Sequence, residues 1–224
     1  MAKFITKFNT TAEFAIFSAT TDFGKPHVSL IKDDSKIHYF EDPYKGHEYV
    51  DLGLPTGTKW ATMNVGASSE TDYGNYYQYG KGAAQYATTS GASNYSGTED
   101  PLYSSADTAV QVWGGSWHMP TKKQIEELID NTTYKWVTNY KNSRIDGGTF
   151  TAKNGAVLFF PAAGRCNRGS QYGVGDYGDY WGSSPDGSNN AYCLFFNGSL
   201  SNPGFSDVES DGREYGYSVR PVIG

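Results

Sequence analysis

Little in this sequence can do covalent, redox or metal chemistry. Its 224 residues include two cysteines, Cys166 and Cys193, and four histidines, His27, His38, His47 and His118, none recurring beside other ligands at metal-site spacing. A zinc site of ordinary pattern is not expected. Two cysteines are too few for a disulfide framework, and a single bridge and two small buried hydrophobes are both open. The Gly-x-Ser-x-Gly elbow, the P-loop, the dinucleotide fingerprint and the His-Glu-x-x-His helix are all missing. Charge is scarce, at 19% of residues with a net charge of -6 and scattered Lys and Arg, so no field draws in a phosphate backbone and nucleic acid is not an expected partner. No apolar run approaches the roughly eighteen residues needed to cross a bilayer, and Met1-Ala2-Lys3-Phe4 leads into no apolar signal core. Neither membrane insertion nor a signal peptide is expected.

What fills the gap is Gly, Tyr, Ser, Thr and Asn, with 27 glycines and 18 tyrosines. Gly and Asn supply special backbone angles and Tyr both packs and hydrogen-bonds, which points to turns and irregular loops around a modest sheet core. Two units follow, an N-terminal module over 1–45 and a main domain over 46–224. In the first, Thr10 and Glu13 have capping-box spacing ahead of an Ala12, Ala15, Ile16, Ala19 stripe, predicting a helix over 11–20. Val28-Ser29-Leu30-Ile31 and Ile37-His38-Tyr39-Phe40 read as a hairpin. This module either docks on the main domain or serves self-association or attachment.

The main domain opens on a hairpin, Tyr49 to Leu54 and Thr58 to Val65 about the Pro55-Thr56-Gly57 turn. Residues 66–116 are poor in apolar runs and carry Tyr73, Tyr76, Tyr77, Tyr79, Tyr86, Tyr95 and Tyr103, a loop region pinned by its aromatics or functional. The clearest helix follows: Thr121 caps it, Gln124 completes a capping box, and Ile125, Leu128 and Ile129 form its apolar face, with Trp113, Trp117 and Met119 anchoring the approach. Strands are expected at 135–137, 149–151, 156–160, 191–196 and 215–219, the last placing Tyr215, Tyr217 and Val219 on one face.

Between these strands, residues 164–213 mix glycines with Asn167, Tyr172, Tyr177, Tyr180, Trp181, Asn189, Asn190, Asn197, Asn202 and Phe205. Rigid rings and adaptable amides on sheet-borne loops are the chemistry of a binding surface. Trp181, Tyr192, Phe196, Tyr215 and Tyr217 read as core, whereas Tyr172, Tyr177, Tyr180 and the asparagines read as loop residues open to a ligand. The acid pairs Asp176 with Asp179 and Asp207 with Glu209 have the residue types of a glycosidase but read as solvated side chains or turn caps. Cys193, inside an apolar strand, reads as buried, and neither cysteine has a base beside it for nucleophilic work.

Five segments in order carry a resemblance: Tyr49-Val50-Asp51-Leu52-Gly53-Leu54-Pro55-Thr56-Gly57-Thr58-Lys59-Trp60-Ala61, Trp113-Gly114-Gly115-Ser116-Trp117-His118-Met119-Pro120-Thr121, Phe160-Pro161-Ala162-Ala163-Gly164, Tyr180-Trp181-Gly182-Ser183-Ser184 and Tyr217-Ser218-Val219-Arg220-Pro221-Val222. Over about residues 47–223 the chain resembles the Fibrobacter succinogenes major paralogous domain of gut Bacteroidetes and their phages. The opening Met1 to Thr10 also resembles such phage or prophage proteins. The resemblance implies an α+β, C-type-lectin-like fold with irregular loops, related to the formylglycine-generating enzymes and to the variable proteins of diversity-generating retroelements, with the small helix-hairpin module ahead of it. It implies a non-enzymatic, receptor-binding or adhesin-like protein whose C-terminal loops are diversified by adenine-directed mutagenesis. Its partner would be a cell-surface protein or glycan. Virion or fibre components and a homotrimer are further expectations, with a location on a phage tail or bacterial surface.

Carried onto this chain, the diversified positions are Asn167, Tyr172, Tyr177, Asp179, Asn189, Asn190, Asn197, Ser199, Asn202 and Arg213, with Tyr180 beside them. Gln171 and Glu214 fit less well, because adenine changes in an Asn codon do not yield Gln or Glu. The copper-binding cysteine pair of the enzyme relatives is not matched by Cys166 and Cys193, and the Glu-Pro-Asn and Trp-Asn-Asp motifs of calcium-dependent sugar binders do not occur. No cofactor is expected, calcium as a structural ion staying open. A fibre subunit without a variable site and a formylglycine-type enzyme are the competing readings.

Overall fold

The computed structural model describes residues 42–81, 97–102, 104–198 and 205–224. The expected 11–20 helix and its hairpin lie outside these residues, as do Tyr86, Tyr95, Tyr103, Ser199 and Asn202. What is described is mostly β with few helices. The strands are β1 (Tyr49–Val50), β2 (Lys59–Ala61), β3 (Tyr77–Gln78), β4 (Thr132–Val137), β5 (Gly147–Ala152), β6 (Val157–Pro161), β7 (Arg165–Asn167), β8 (Ser170–Tyr172), β9 (Tyr177–Asp186), β10 (Asn190–Asn197), β11 (Phe205–Gly212), β12 (Gly216–Tyr217) and β13 (Val222–Ile223). The helices are α1 (Thr108–Val112) and α2 (Lys122–Asn131). None is long and apolar enough to cross a membrane among the described residues.

α2 forms where its caps require. Thr121 Oγ1 accepts from Gln124 N at 3.3 Å and Thr121 N donates to Gln124 Oε1 at 2.9 Å, satisfying two otherwise unpaired donors. Ile125 and Leu128 are fully buried, so the predicted apolar face is the one that packs.

The sheets are ordered β1-β2-β13, β4-β5-β6, β3-β12-β7-β8 and β11-β10-β9. The last has a hydrophobic cluster on each face. Tyr180, Leu194 and Phe196 point to one cluster, with Ile125, Leu128, Phe150, Phe160 and Trp60. Trp181, Ala191 and Cys193 point to the other, with Tyr77, Tyr79, Met119, Tyr217 and Val219. With Gly178, Asp179, Gly182, Ser183, Ser184 and Pro185 among them, residues 177–186 show neither an apolar run nor a clean alternation, which is why they looked like loop.

That is the main correction: Tyr177 and Tyr180 lie in β9, not in loops. The glycine that seemed to break this strand does the opposite. A Cβ on Gly178 would lie 2.2 Å from the Phe196 ring, which covers it from the paired position on β10. Within the described part of 66–116, two tyrosines are tied to the framework: Tyr76 Oη donates to Ala163 O and Tyr79 Oη to Ser183 O. Both cysteines are free and buried.

A buried polar chain ties three of the motif segments. Arg220 Nε donates to Asn64 Oδ1 at 2.7 Å, Asn64 Nδ2 to Tyr180 Oη at 3.2 Å, and Tyr180 Oη to Pro161 O at 2.6 Å. Arg220 Nη1 also donates to the carbonyls of Ala61, Thr62 and Phe159.

Candidate functional site

The alternation Phe205-Ser206-Asp207-Val208-Glu209-Ser210-Asp211 puts Phe205, Asp207, Glu209 and Asp211 on one face of β11 and Val208 on the other. Register extends that face across the sheet. Phe205 pairs with Asn197 and Asn197 with Tyr177; Asp207 pairs with Phe195 and Phe195 with Asp179; Glu209 pairs with Cys193 and Cys193 with Trp181. Tyr217 stacks on Trp181 at 4.1 Å and closes the inner half. The outer half carries Tyr177 and Phe195, both half-buried, and the exposed Phe205.

On that half the rings of Tyr177 and Phe195 are 5.9 Å apart and those of Phe195 and Phe205 are 6.3 Å apart, a row running across all three strands. Tyr172 adjoins it. A Cβ on Gly173, whose φ is +65°, would lie 1.8 Å from the Tyr177 ring, so only glycine lets β8 run beside that ring. Tyr172 is 51% exposed and Phe205 38%, large apolar area for a sheet surface.

Carboxyls alternate with the rings. Asp179, Asp207, Glu209 and Asp211 share the face, and the cation set among them is Arg165, whose Nη1 lies 3.1 Å from Asp211 Oδ2 and whose guanidinium sits 4.8 Å over the Tyr215 ring. Tyr217 Oη donates to the same Asp211 oxygen. Asp179 is 4% exposed. No hydrogen bond or ion pair reaches its carboxyl among the described residues. Burial pushes its pKa up to about 7, opposed by the nearby Arg165 charge and reinforced by Asp211 and Glu209. Burial, then Asp207 and Asp211, also raises Glu209. No group of three His, Cys, Asp or Glu side chains is placed to hold a metal ion among the described residues.

The predicted site residues divide. Tyr172, Tyr177 and the half-buried Asn197 meet at the ring row, and Asn167 is half-buried on β7. Asn189 and Asn190 are exposed at the other end of the β9-β10 pair, seven register steps from Asn197 and so about 24 Å away. Three placements are corrections. Tyr180 is 2% exposed and held in the polar chain above. Arg213 is 2% exposed, its guanidinium donating to the carbonyls of Asn190, Gly97 and Gly187. Both are framework rather than surface. Asp179, expected as a solvated side chain or a diversified position, is buried at 4% exposure in β9, with Arg165 close enough to act on its charge.

Sequence reasoning passed over Arg165, Phe195 and the acids of β11 as contact residues. The signal was present in the strict two-residue alternation over 205–211, which marks a half-exposed strand. In comparisons with family models, with curated proteins and with solved structures, nothing matches this chain.

Proposed function

We propose that this chain is a receptor-binding or adhesin-like protein with a C-type-lectin-like fold, a variable protein of the kind diversified by retroelements, and that it acts by binding a macromolecule on a cell surface rather than by catalysis. The observation that carries this reading is the row of Tyr177, Phe195 and Phe205 with Tyr172 beside it, set on paired strands with Tyr172 and Phe205 exposed and the other two rings half-buried among the described residues. Rings with few rotatable bonds give large contact area at low entropic cost, and strands hold them more firmly than loops.

The division of labour within the chain supports it. Trp60, Trp117, Met119, Phe160, Trp181, Val219 and Arg220, all from the five motif segments, are each at most 1% exposed. The motifs are spent on the framework, leaving the ring row free to change. Burial also raises the thiol pKa of Cys166 and Cys193, which suits them to packing and not to nucleophilic attack. A phage tail or bacterial surface is the proposed location, and the partner a surface protein or glycan.

The test is capture of intact gut bacteria by the full chain. The triple variant Tyr172→Ala, Tyr177→Ala, Phe205→Ala is expected to lose capture by about tenfold or more, with little change in Tm because these side chains lie outside both core clusters. Undiminished capture would place the contacts elsewhere. Beside the gene, a near-copy of the stretch coding for 165–215 that differs at adenines would support the diversified class.

A further inference from the structure

Asp179 is the buried carboxyl of the ring face, at 4% exposure, where Asp207 and Glu209 are exposed. Its Cα partner on β10 is Phe195, so the two side chains stand next to each other on one face. Tyr177 is two residues back along β9 and points the same way, and the Asp179 charge acts on its hydroxyl. Tyr172 is linked through Arg165, whose charge acts on Asp179 and whose Cα partner on β8 is Tyr172.

Among the described residues Arg165 is the cation whose charge reaches Asp179, and it has another carboxylate to serve. Its Nη1 lies 3.1 Å from Asp211 Oδ2, the oxygen that also accepts from Tyr217 Oη. From β11, Asp211 and Glu209 act on Asp179 with like charge, and Asp207 stands beyond Phe195 in the same row across the sheet. Tyr217 on β12 and Cys193 on β10 keep their protons, each raised by burial first and by the Asp179 charge next. Tyr177 is raised by burial too. The proton that changes hands near neutral pH is therefore the one on Asp179, whose carboxyl burial pushes up to about 7 against the pull of Arg165.

A macromolecule seated on the rings takes water from whatever lies beside them. A neutral carboxyl loses little by this, whereas a carboxylate loses the last of its hydration while its nearest guanidinium is paired with Asp211. Seating is favoured with the proton on and opposed with it off. The sign of the linkage follows: the complex keeps the proton to higher pH than the free chain does, so affinity is level below the free chain's titration and falls as pH rises through it. Ionised Asp179 also competes with Asp211 for Arg165, on the strand paired with the one that carries Tyr172.

We propose that the ring row is a proton-gated contact surface, which takes its macromolecular partner while Asp179 is neutral and releases it as Asp179 ionises. This rests on the ring row being the contact surface, and it adds the regulation of that surface.

Two measurements on the full chain test it. In the free protein, carboxyl-carbon NMR with labelled aspartate follows Asp179, identified by the signal lost in Asp179→Asn. A midpoint near about pH 7 is expected, with the ring signals of Tyr177 and Phe195 moving at the same midpoint. Capture of intact gut bacteria is expected to weaken about tenfold from pH 6.5 to pH 8.5, and to stay level in Asp179→Asn with its near-ultraviolet circular dichroism unchanged. An Asp179 midpoint below about pH 5, or the same loss of capture in both chains, would overturn the proposal. Should the variant not fold, the native titration decides alone, since ring signals that stay still through the Asp179 midpoint also overturn it. The ring triple variant, run in parallel on cells, separates the two readings. Capture lost by the triple variant, yet equally pH-dependent in the native and Asp179→Asn chains, sinks proton gating alone. Full capture by the triple variant sinks the contact surface, and the gating with it.

Discussion

At single residues, the groups that look most reactive are held by burial and not by chemistry. Asp179 titrates near pH 7 when folded, chiefly through burial, with Arg165 on β7 opposing and Asp211 and Glu209 on β11 adding to the effect. Unfolded, an aspartate titrates near 3.9, so between about pH 4 and 7 the folded chain keeps a proton that the unfolded chain has lost. Stability from this group therefore falls as pH rises through that window, and the penalty is complete above about 7. Asp179→Asn should accordingly raise Tm by about 5 °C more at pH 8 than at pH 5, measured by circular dichroism. An equal gain at both would mean that packing, not charge, is being relieved. Asn64 is the opposite case, since its amide joins Arg220 to Tyr180 and also donates to Tyr73 O. Asn64→Ala leaves a buried guanidinium and a buried hydroxyl short of partners, and a loss of about 2–3 kcal/mol in urea unfolding is expected.

Among the elements, α2 was legible because helix caps and a 3.6-residue stripe are local signals, and Thr121, Gln124, Ile125 and Leu128 stand where the sequence puts them. β10 was legible too, its apolar run 191–196 falling inside Asn190–Asn197. β9 was not, because Gly178 reads as a breaker until the Phe196 ring is seen to cover it, and that contact is set only by pairing with β10. The same limit applied to the site. Composition marked out 164–213, yet composition cannot tell that Tyr180 and Tyr177, three residues apart in one strand, end on opposite faces. Arg213 shows how long-range pairing decides role. Its guanidinium closes the 187–189 turn through Gly187 O and Asn190 O and ties it to Gly97 O. Arg213→Ala should quicken amide exchange in that turn by an order of magnitude or so, while β4-β5-β6 exchanges as before. Unchanged exchange at the turn would mean that its own strand bonds suffice.

At the scale of the whole molecule, the far ends of the motif series close on each other. β13 adds to β2 with Val222 opposite Trp60 and Ile223 opposite Lys59, and His118 and Val222 exchange both of their backbone hydrogen bonds. Ala61 N also donates to Pro221 O. Val222 belongs to the cluster that holds Tyr180, Leu194 and Phe196, so the closing strand supports from behind the same sheet that carries the ring row in front. The proposed diversified surface would be served by this arrangement, in which the cluster that holds Val222 lies on the other face of the sheet. Removing 221–224 takes out one strand of the β1-β2-β13 sheet and exposes Trp60 and the helix entry at His118 together. The shortened chain is expected to lose its near-ultraviolet circular dichroism and its cooperative thermal transition, and cell capture with them, although no residue of the ring row has been touched. A cooperative transition kept within a few degrees of the full chain would instead show that the sheet beneath the rings stands without its closing strand, and that the framework is complete by Arg220.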